Sequence, residues 1–312
     1  MKKIMLYILV GTVTLLAFPL GFAKQRKNSL RKQATRTALK RRSYVQPALL
    51  SQTMRYFEPN EEKHFVVIVP TYNNKRWYKG NLESILNQNY SNFNVIIVDD
   101  ASPDGTGNLL KSELNNHPQK NKVLLIQNAK RCGALANWYN TIHTYCANKD
   151  VVVQVDGDDQ LADPEVLALL NKVYQDKNIW LTYGQFRFYP SSKIGWCREA
   201  PAYMITRNAF RHSRPLFLFS HLRTFYAGLF KKIKQESFMY QGEYFPTTCD
   251  LAMMFPMLEM AGRHHKFIPD VLYLYNTANP INDHKIAQQK QIFFATIIRA
   301  MSKYSPLEQA PY

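Results

Sequence analysis

At 312 residues, with 46% hydrophobic and 13% aromatic content, the chain carries enough apolar material for one large α/β domain or two smaller ones, which excludes an intrinsically disordered protein. Its formal net charge of +17 is unevenly held: residues 1–42 contain 11 Lys or Arg and no acid, leaving 29 basic against 23 acidic side chains in the rest. Basicity confined to one end argues for a local contact and against a nucleic-acid groove.

Residues 4–23 follow Lys2 and Lys3 as an uncharged apolar stretch of about the length that crosses a bilayer. Two readings compete: a signal peptide cleaved near Gly21-Phe22-Ala23, and an uncleaved transmembrane anchor. Nine Lys or Arg between positions 24 and 42, against two before the span, favour an anchor that leaves the rest of the chain in the cytoplasm. Export through a cleaved signal is the alternative. Residues 24–62 read as a basic juxtamembrane linker, lying on anionic headgroups or simply solvated.

From His64 onward short apolar runs alternate with polar helical stretches. Strands are expected at residues 65–69, 95–98, 123–126 and 151–155, and a helix at 80–89, where Leu82, Ile85 and Leu86 make one buried stripe. The strands are rich in β-branched residues and nearly continuous, as suits a Rossmann-like, mostly parallel sheet flanked by helices. Ligands of such sheets sit beyond the carboxyl ends of the strands. There the chain reads Pro70-Thr71-Tyr72-Asn73-Asn74, then Asp99-Asp100-Ala101-Ser102, then Asp156-Gly157-Asp158-Asp159. Carboxylates this close repel one another unless a cation lies between them, and Mn2+ or Mg2+ is the hard cation that carboxylate and phosphate oxygens share. Asp104-Gly105 and Asp163-Pro164 read instead as turn chemistry. No glycine-rich dinucleotide fingerprint or P-loop follows a strand. Cys132, Cys146, Cys197 and Cys249 form no CxxC pair and are expected as reduced thiols.

Three segments in this order, Phe65-Val-Val-Ile-Val-Pro-Thr-Tyr-Asn73, Ile97-Val-Asp-Asp-Ala-Ser102 and Val153-Gln-Val-Asp-Gly-Asp-Asp159, resemble the family 2 glycosyltransferases with the GT-A fold. The likeness covers residues 63–190 and, more loosely, reaches position 280. It implies a nucleotide-sugar donor, UDP-linked, bound in a half spanning 63–190, and an acceptor-binding half with a C-terminal helix over 191–312. It further implies that Thr71 and Asp100 hold the base, and that Asp158 and Asp159 hold ribose and metal, with Asp156 opening the motif. Arg131 is placed by it near the base or diphosphate, although Gly133-Ala-Leu-Ala-Asn137 stands where many members have an Ala-Arg-Asn run.

In the second half, residues 220–230 are expected to form a Ser-capped helix whose His221 and Arg223 reach the diphosphate or the acceptor. Asp250 heads a helical pattern of Leu251, Met254, Leu258 and Ala261 that Gly262 ends. A carboxylate there can cap the helix; the resemblance implies that it is the general base of an inverting transfer. A strand is expected at 271–275, then a turn whose His284 closes over donor phosphates. A helix at 288–304 is expected to pack on the domain or to touch a bilayer. The acceptor is a hydroxyl on an unspecified glycan, lipid or protein. Rival readings are a nucleotidyltransferase, which would gather the same acids, and a non-catalytic protein that binds membrane surfaces.

Overall fold

The computed structural model describes residues 61–212 and 217–312, except the side chains of Asp283 and His284. The expected anchor and all but the last two residues of the linker lie outside the described residues. Among the described residues no helix is long and apolar enough to cross a membrane.

Strands β1 (Phe65–Thr71), β2 (Phe93–Asp99), β3 (Val123–Gln127) and β4 (Val151–Gln154) realise the four expected strands. β1 pairs in parallel with β2 and β4, and β2 with β3. The Val and Ile side chains of β1, β2 and β4 are buried whichever way they point, so both faces of this part of the sheet are covered. Helices α1 (Tyr78–Leu86), α2 (Thr106–Asn116) and α3 (Ala134–Tyr145) connect the strands. α1 buries Leu82, Ile85 and Leu86 as their spacing requires.

The chain continues through β5 (Gln160–Leu161), α4 (Val166–Val173), β6 (Leu181–Tyr189), α5 (Ala202–Thr206), β7 (Arg223–Tyr226) and α6 (Ala227–Lys231). It then forms a hairpin of β8 (Met239–Tyr240) and β9 (Glu243–Tyr244), helix α7 (Cys249–Ala261), β10 (His265–Asn276), α8 (Asp283–Ile286) and α9 (Gln288–Ala300). Eight strands make one sheet in the order β3-β2-β1-β4-β7-β6-β10-β5, so both halves of the domain share a sheet. Only β7 and the two-residue β5 run antiparallel to their neighbours.

The helix expected over residues 220–230 is not formed. Its first part is β7, inserted between β4 and β6, and only its end turns into α6. The parallel strands bring their carboxyl ends to one edge of the sheet, and antiparallel β7 brings its beginning, with Ser220 and His221 before it, to the same edge. The last strand is longer than expected, with register shifts around Pro269-Asp270, and α9 stops at Ala300 rather than reaching position 304.

Candidate active site

A cleft of about 450 Å3 opens at that edge, lined from the first half by Tyr72, Asn74, Arg131, Asp156 and Asp158 and from the second by His221, Arg223, Asp250, Tyr275 and Asn279. Its floor is the loop after β4. Gly157 lies so close to β1 that a β-carbon on it would come within 2.6 Å of Thr71 Cβ and 2.8 Å of Asn74 Nδ2, so only glycine lets the loop descend. The loop is held by groups that motif reading alone does not find. Asn81 on α1 donates to the carbonyls of Asp156 and Asp159 at 3.0 and 2.7 Å, and Tyr273 Oη accepts from the Asp156 N–H at 3.0 Å. A buried Asn inside an otherwise apolar helix stripe was the available signal for Asn81.

The acids expected to bind metal and ribose are adjacent but differ in environment. Asp159 is 2% exposed, and its Oδ1 accepts from the Asn276 N–H at 2.6 Å. Burial, followed by the charges of Asp158 and Asp156, pushes its carboxyl well above the usual carboxylate range, against the pull of the Asn276 N–H and Tyr273. Asp158 Oδ2 accepts from Asn279 Nδ2 at 2.7 Å. Ligand atoms of Asp156, Asp159 and His221 lie within 4.8 Å of one another. His221 is buried with its ring stacked 4.4 Å from that of Tyr273, and its Nδ1 has no hydrogen-bond partner among the described residues. Burial, with Arg223 beside it, keeps the imidazole neutral, the form that binds metals. Two carboxylates and a neutral imidazole with an orphaned nitrogen can hold a divalent metal ion.

Thr71 and Asp100 do not line the cleft. Thr71 Oγ1 accepts from Asn74 Nδ2 at 2.9 Å beneath Gly157. Asp100 is buried; its carboxylate accepts from Asn128 Nδ2 and from the N–H groups of Cys132 and Gly133, all at 2.8 Å. Burial opposes ionisation, but these donors win and hold its carboxyl below its ordinary value. Asp100 therefore ties down the loop carrying Arg131, whose guanidinium lies 3.8 Å from the ring centre of Tyr72 in the cleft wall. Asp104 behaves as turn chemistry, accepting from Thr106 and Lys75.

Across the cleft, Asp250 occupies the first turn of α7, which follows Thr248 in a left-handed conformation and ends at Gly262 with φ of 55°. No side-chain cap bond forms at this helix start. Asp250 Oδ2 instead lies 3.5 Å from Arg223 NH2, and the Arg223 guanidinium is anchored by the Phe219 carbonyl and Ser220 Oγ. His284 belongs to α8 in its backbone, and its side chain lies outside the described residues. All four cysteines are free, Cys146 and Cys197 in the core.

Such a cleft can hold an anionic ligand between its basic and acidic walls and present a carboxylate to a hydroxyl. Comparison with known proteins places the chain in a family. Glycosyltransferase GlyG of Streptococcus pneumoniae serotype 4 is 28% identical over 126 residues, 40% of each chain. The curated relatives are matched over less than half of their own length. Among solved structures, Staphylococcus aureus TarS 1–349 with UDP-GlcNAc superposes with a TM-score of 0.53 at 18% identity, over 72% of this chain and 61% of that one. The mannosyltransferase PcManGT of Pyrobaculum calidifontis, in complex with GDP-Man and Mn2+, gives 0.53 at 21% identity, over 78% and 67%. These two establish likeness of fold. Residues 66–239, more than half of the chain and reaching from β1 through β7, match glycosyl transferase family 2, and the chain belongs to that family.

Proposed function

We propose that this protein transfers a sugar from a UDP-linked donor to an acceptor hydroxyl with inversion at the anomeric carbon. The observation that carries the proposal is the opposition, within one cleft, of the Asp156, Asp158 and Asp159 cluster to the single carboxylate of Asp250. TarS and PcManGT, which share the fold, were solved with UDP-GlcNAc and with GDP-Man and Mn2+, and that supports a nucleotide-sugar donor.

In this reading Tyr72 and Arg131 form the wall against which the base lies, Thr71 and Asp100 fix that wall from behind, and Arg223 faces the diphosphate; the family resemblance alone adds His284 to the donor-binding set. Mn2+ or Mg2+ would be held by Asp158 and Asp159, as the family resemblance implies, with Asp156 and His221 completing the set; bound there, it would neutralise charge on the departing diphosphate. Asp250 takes the proton from the acceptor hydroxyl as that oxygen attacks. Arg223 keeps the Asp250 carboxylate oriented toward the cleft. Glu259 and Glu243 are poor substitutes as base: Glu259 is wholly buried in an ion pair with Arg211, and Glu243 is on the exposed hairpin.

The membrane anchor at residues 1–23, with residues 24–312 on the cytoplasmic side, belongs to the same proposal and rests on the charge asymmetry alone. Screening UDP-sugars with and without Mn2+ by thermal shift tests the donor, because a ligand of the native state raises its apparent stability. If no nucleotide sugar shifts the transition under any metal condition, the donor assignment fails.

A further inference from the structure

The large apolar side chains left in solvent are not scattered. Eleven are exposed among the described residues, and seven of them fall in two stretches, residues 189–196 and 281–293. Tyr189, Ile194 and Trp196 lie at the end of β6 and in the turn after it. Ile281, Ile286, Ile292 and Phe293 lie between β10 and the middle of α9, with Ile286 at 66% exposure.

The two groups are joined. The Tyr189 carbonyl accepts from Thr277 N–H and Oγ1, both at 2.8 Å, and Lys285 Nζ donates to the Thr277 carbonyl at 2.6 Å. Trp196 packs on Phe188, and Phe188 on the cleft residue Tyr275. Ile281 and Ile286 themselves line the cleft. Single exposed apolar residues need no explanation, but a joined set beside a binding cleft marks a contact surface.

Its charge says which kind. Arg187, Lys193, Arg198, Lys285 and Lys290 are all exposed within residues 187–199 and 281–293, and Glu199 and Asp283 are the only acids in those two stretches. Apolar and aromatic tips interleaved with lysine and arginine suit the headgroup boundary of an anionic membrane, where the rings and aliphatic chains enter the acyl region and the cations meet phosphate. The chain also contains, in residues 4–23, an uncharged segment of bilayer-crossing length, so the rim would meet lipid at high local concentration.

We propose that this rim seats on an anionic lipid bilayer. The inference rests on the reading of the cleft as a glycosyl-transfer site, because it then puts that cleft at headgroup level. An acceptor hydroxyl carried at the bilayer surface reaches the cleft without leaving the surface.

The test uses the full chain in vesicles of phosphatidylcholine and phosphatidylglycerol with brominated acyl chains, which quench tryptophan on contact. Trp138 and Trp180 are buried in the core and Trp77, just before α1, is half-buried, whereas Trp196 is 41% exposed on the rim. Quenching is expected in the unaltered protein and in Trp77→Phe, lost when Trp196→Phe is added to Trp77→Phe, and reduced when phosphatidylcholine is the only lipid. Ile286→Ser with Ile292→Ser, at side chains 66% and 61% exposed, should also reduce it while leaving the unfolding temperature unchanged. Equal quenching after Trp196→Phe is added to Trp77→Phe, none in the unaltered protein, or full quenching in the double serine variant would each overturn the proposal; a rim covered by another protein or by residues 1–60 would give the second result. The fluorescence reads lipid contact alone. Turnover of UDP-sugar without quenching would defeat the docking surface only, and quenching without turnover would defeat the glycosyl-transfer reading.

Discussion

The two halves of the domain build their share of the cleft by different means. The first half does so locally: strands that are apolar on both faces end in short polar loops, and each loop delivers its functional groups within a few residues of the strand end. The second half assembles its share from segments far apart in sequence. Arg223 begins an antiparallel strand, Asp250 lies in the first turn of α7, Asn276 ends β10 and Asn279 follows it, and side-chain contacts such as that of Arg223 with Asp250 join them. A cleft made in this way combines a wall that a motif can specify with one that only the tertiary structure defines. The second wall should therefore respond to changes remote from the cleft, and the first to changes within its loops.

The largest effect is expected from the remote support. Arg211 and Glu259, both buried, form a two-pronged ion pair at 2.6 and 3.0 Å, and the Tyr304 N–H donates to the same carboxylate at 3.0 Å. Glu259→Gln leaves the guanidinium buried without its counter-charge, which should cost about 3–5 kcal/mol of stability. Urea unfolding measures this, and a loss below about 1 kcal/mol would show that the second half is not held from behind.

A smaller loss is expected within the first wall. Gly157→Ala forces a methyl group against Thr71 and Asn74, and overpacking of this kind costs about 1–3 kcal/mol. Donor binding should weaken along with stability. Unchanged UDP-sugar affinity would mean that the floor can move without consequence. Asp159→Ala should weaken Mn2+-dependent nucleotide binding by about tenfold or more, near 1.4 kcal/mol, read by titration calorimetry. Loss of less than about twofold would remove Asp159 from the metal set.

The smallest effect concerns acid. The carboxyl of Asp100 is held below its ordinary 3.8 by donors that the unfolded chain lacks. Its ionised form therefore stabilises the fold above that pH, and the contribution disappears as pH falls through the lowered value. The stability difference between the unaltered protein and Asp100→Asn should accordingly be greatest at neutral pH and shrink in acid. A difference independent of pH would assign the role of Asp100 to shape alone.

The same contrast explains what the sequence makes legible. β1, β2 and β4 can be read because β-branched residues run without interruption, and the loop after β4 because three acids follow an apolar strand directly. β7 is misread as a helix because a central strand carrying Arg and Thr has no local signature. Thr224 is tolerated there only because its Oγ1 meets Thr182 Oγ1 at 2.6 Å and Tyr174 Oη at 2.8 Å, both distant in sequence. The tail after α9 has no periodicity at all, yet its Leu307 N–H donates to the Met260 carbonyl and the Tyr312 ring packs 3.9 Å from that of Tyr226. Asp250 was identifiable as a site residue through the family resemblance, whereas its partnership with Arg223 depends on the placement of β7.

Whether the carboxylate of the second wall works as the base for chemistry on the first is answered most directly by following sugar release from a bound UDP-sugar by NMR, with water as the acceptor, in the unaltered protein and in Asp250→Asn. The account predicts that the first-formed sugar has the anomeric configuration opposite to that of the donor. It also predicts that Asp250→Asn lowers the rate by about 100- to 10,000-fold, or roughly 3 to 5 kcal/mol, while donor affinity stays as it was. A product of retained configuration, or an Asp250→Asn variant working at near the original rate, would contradict it.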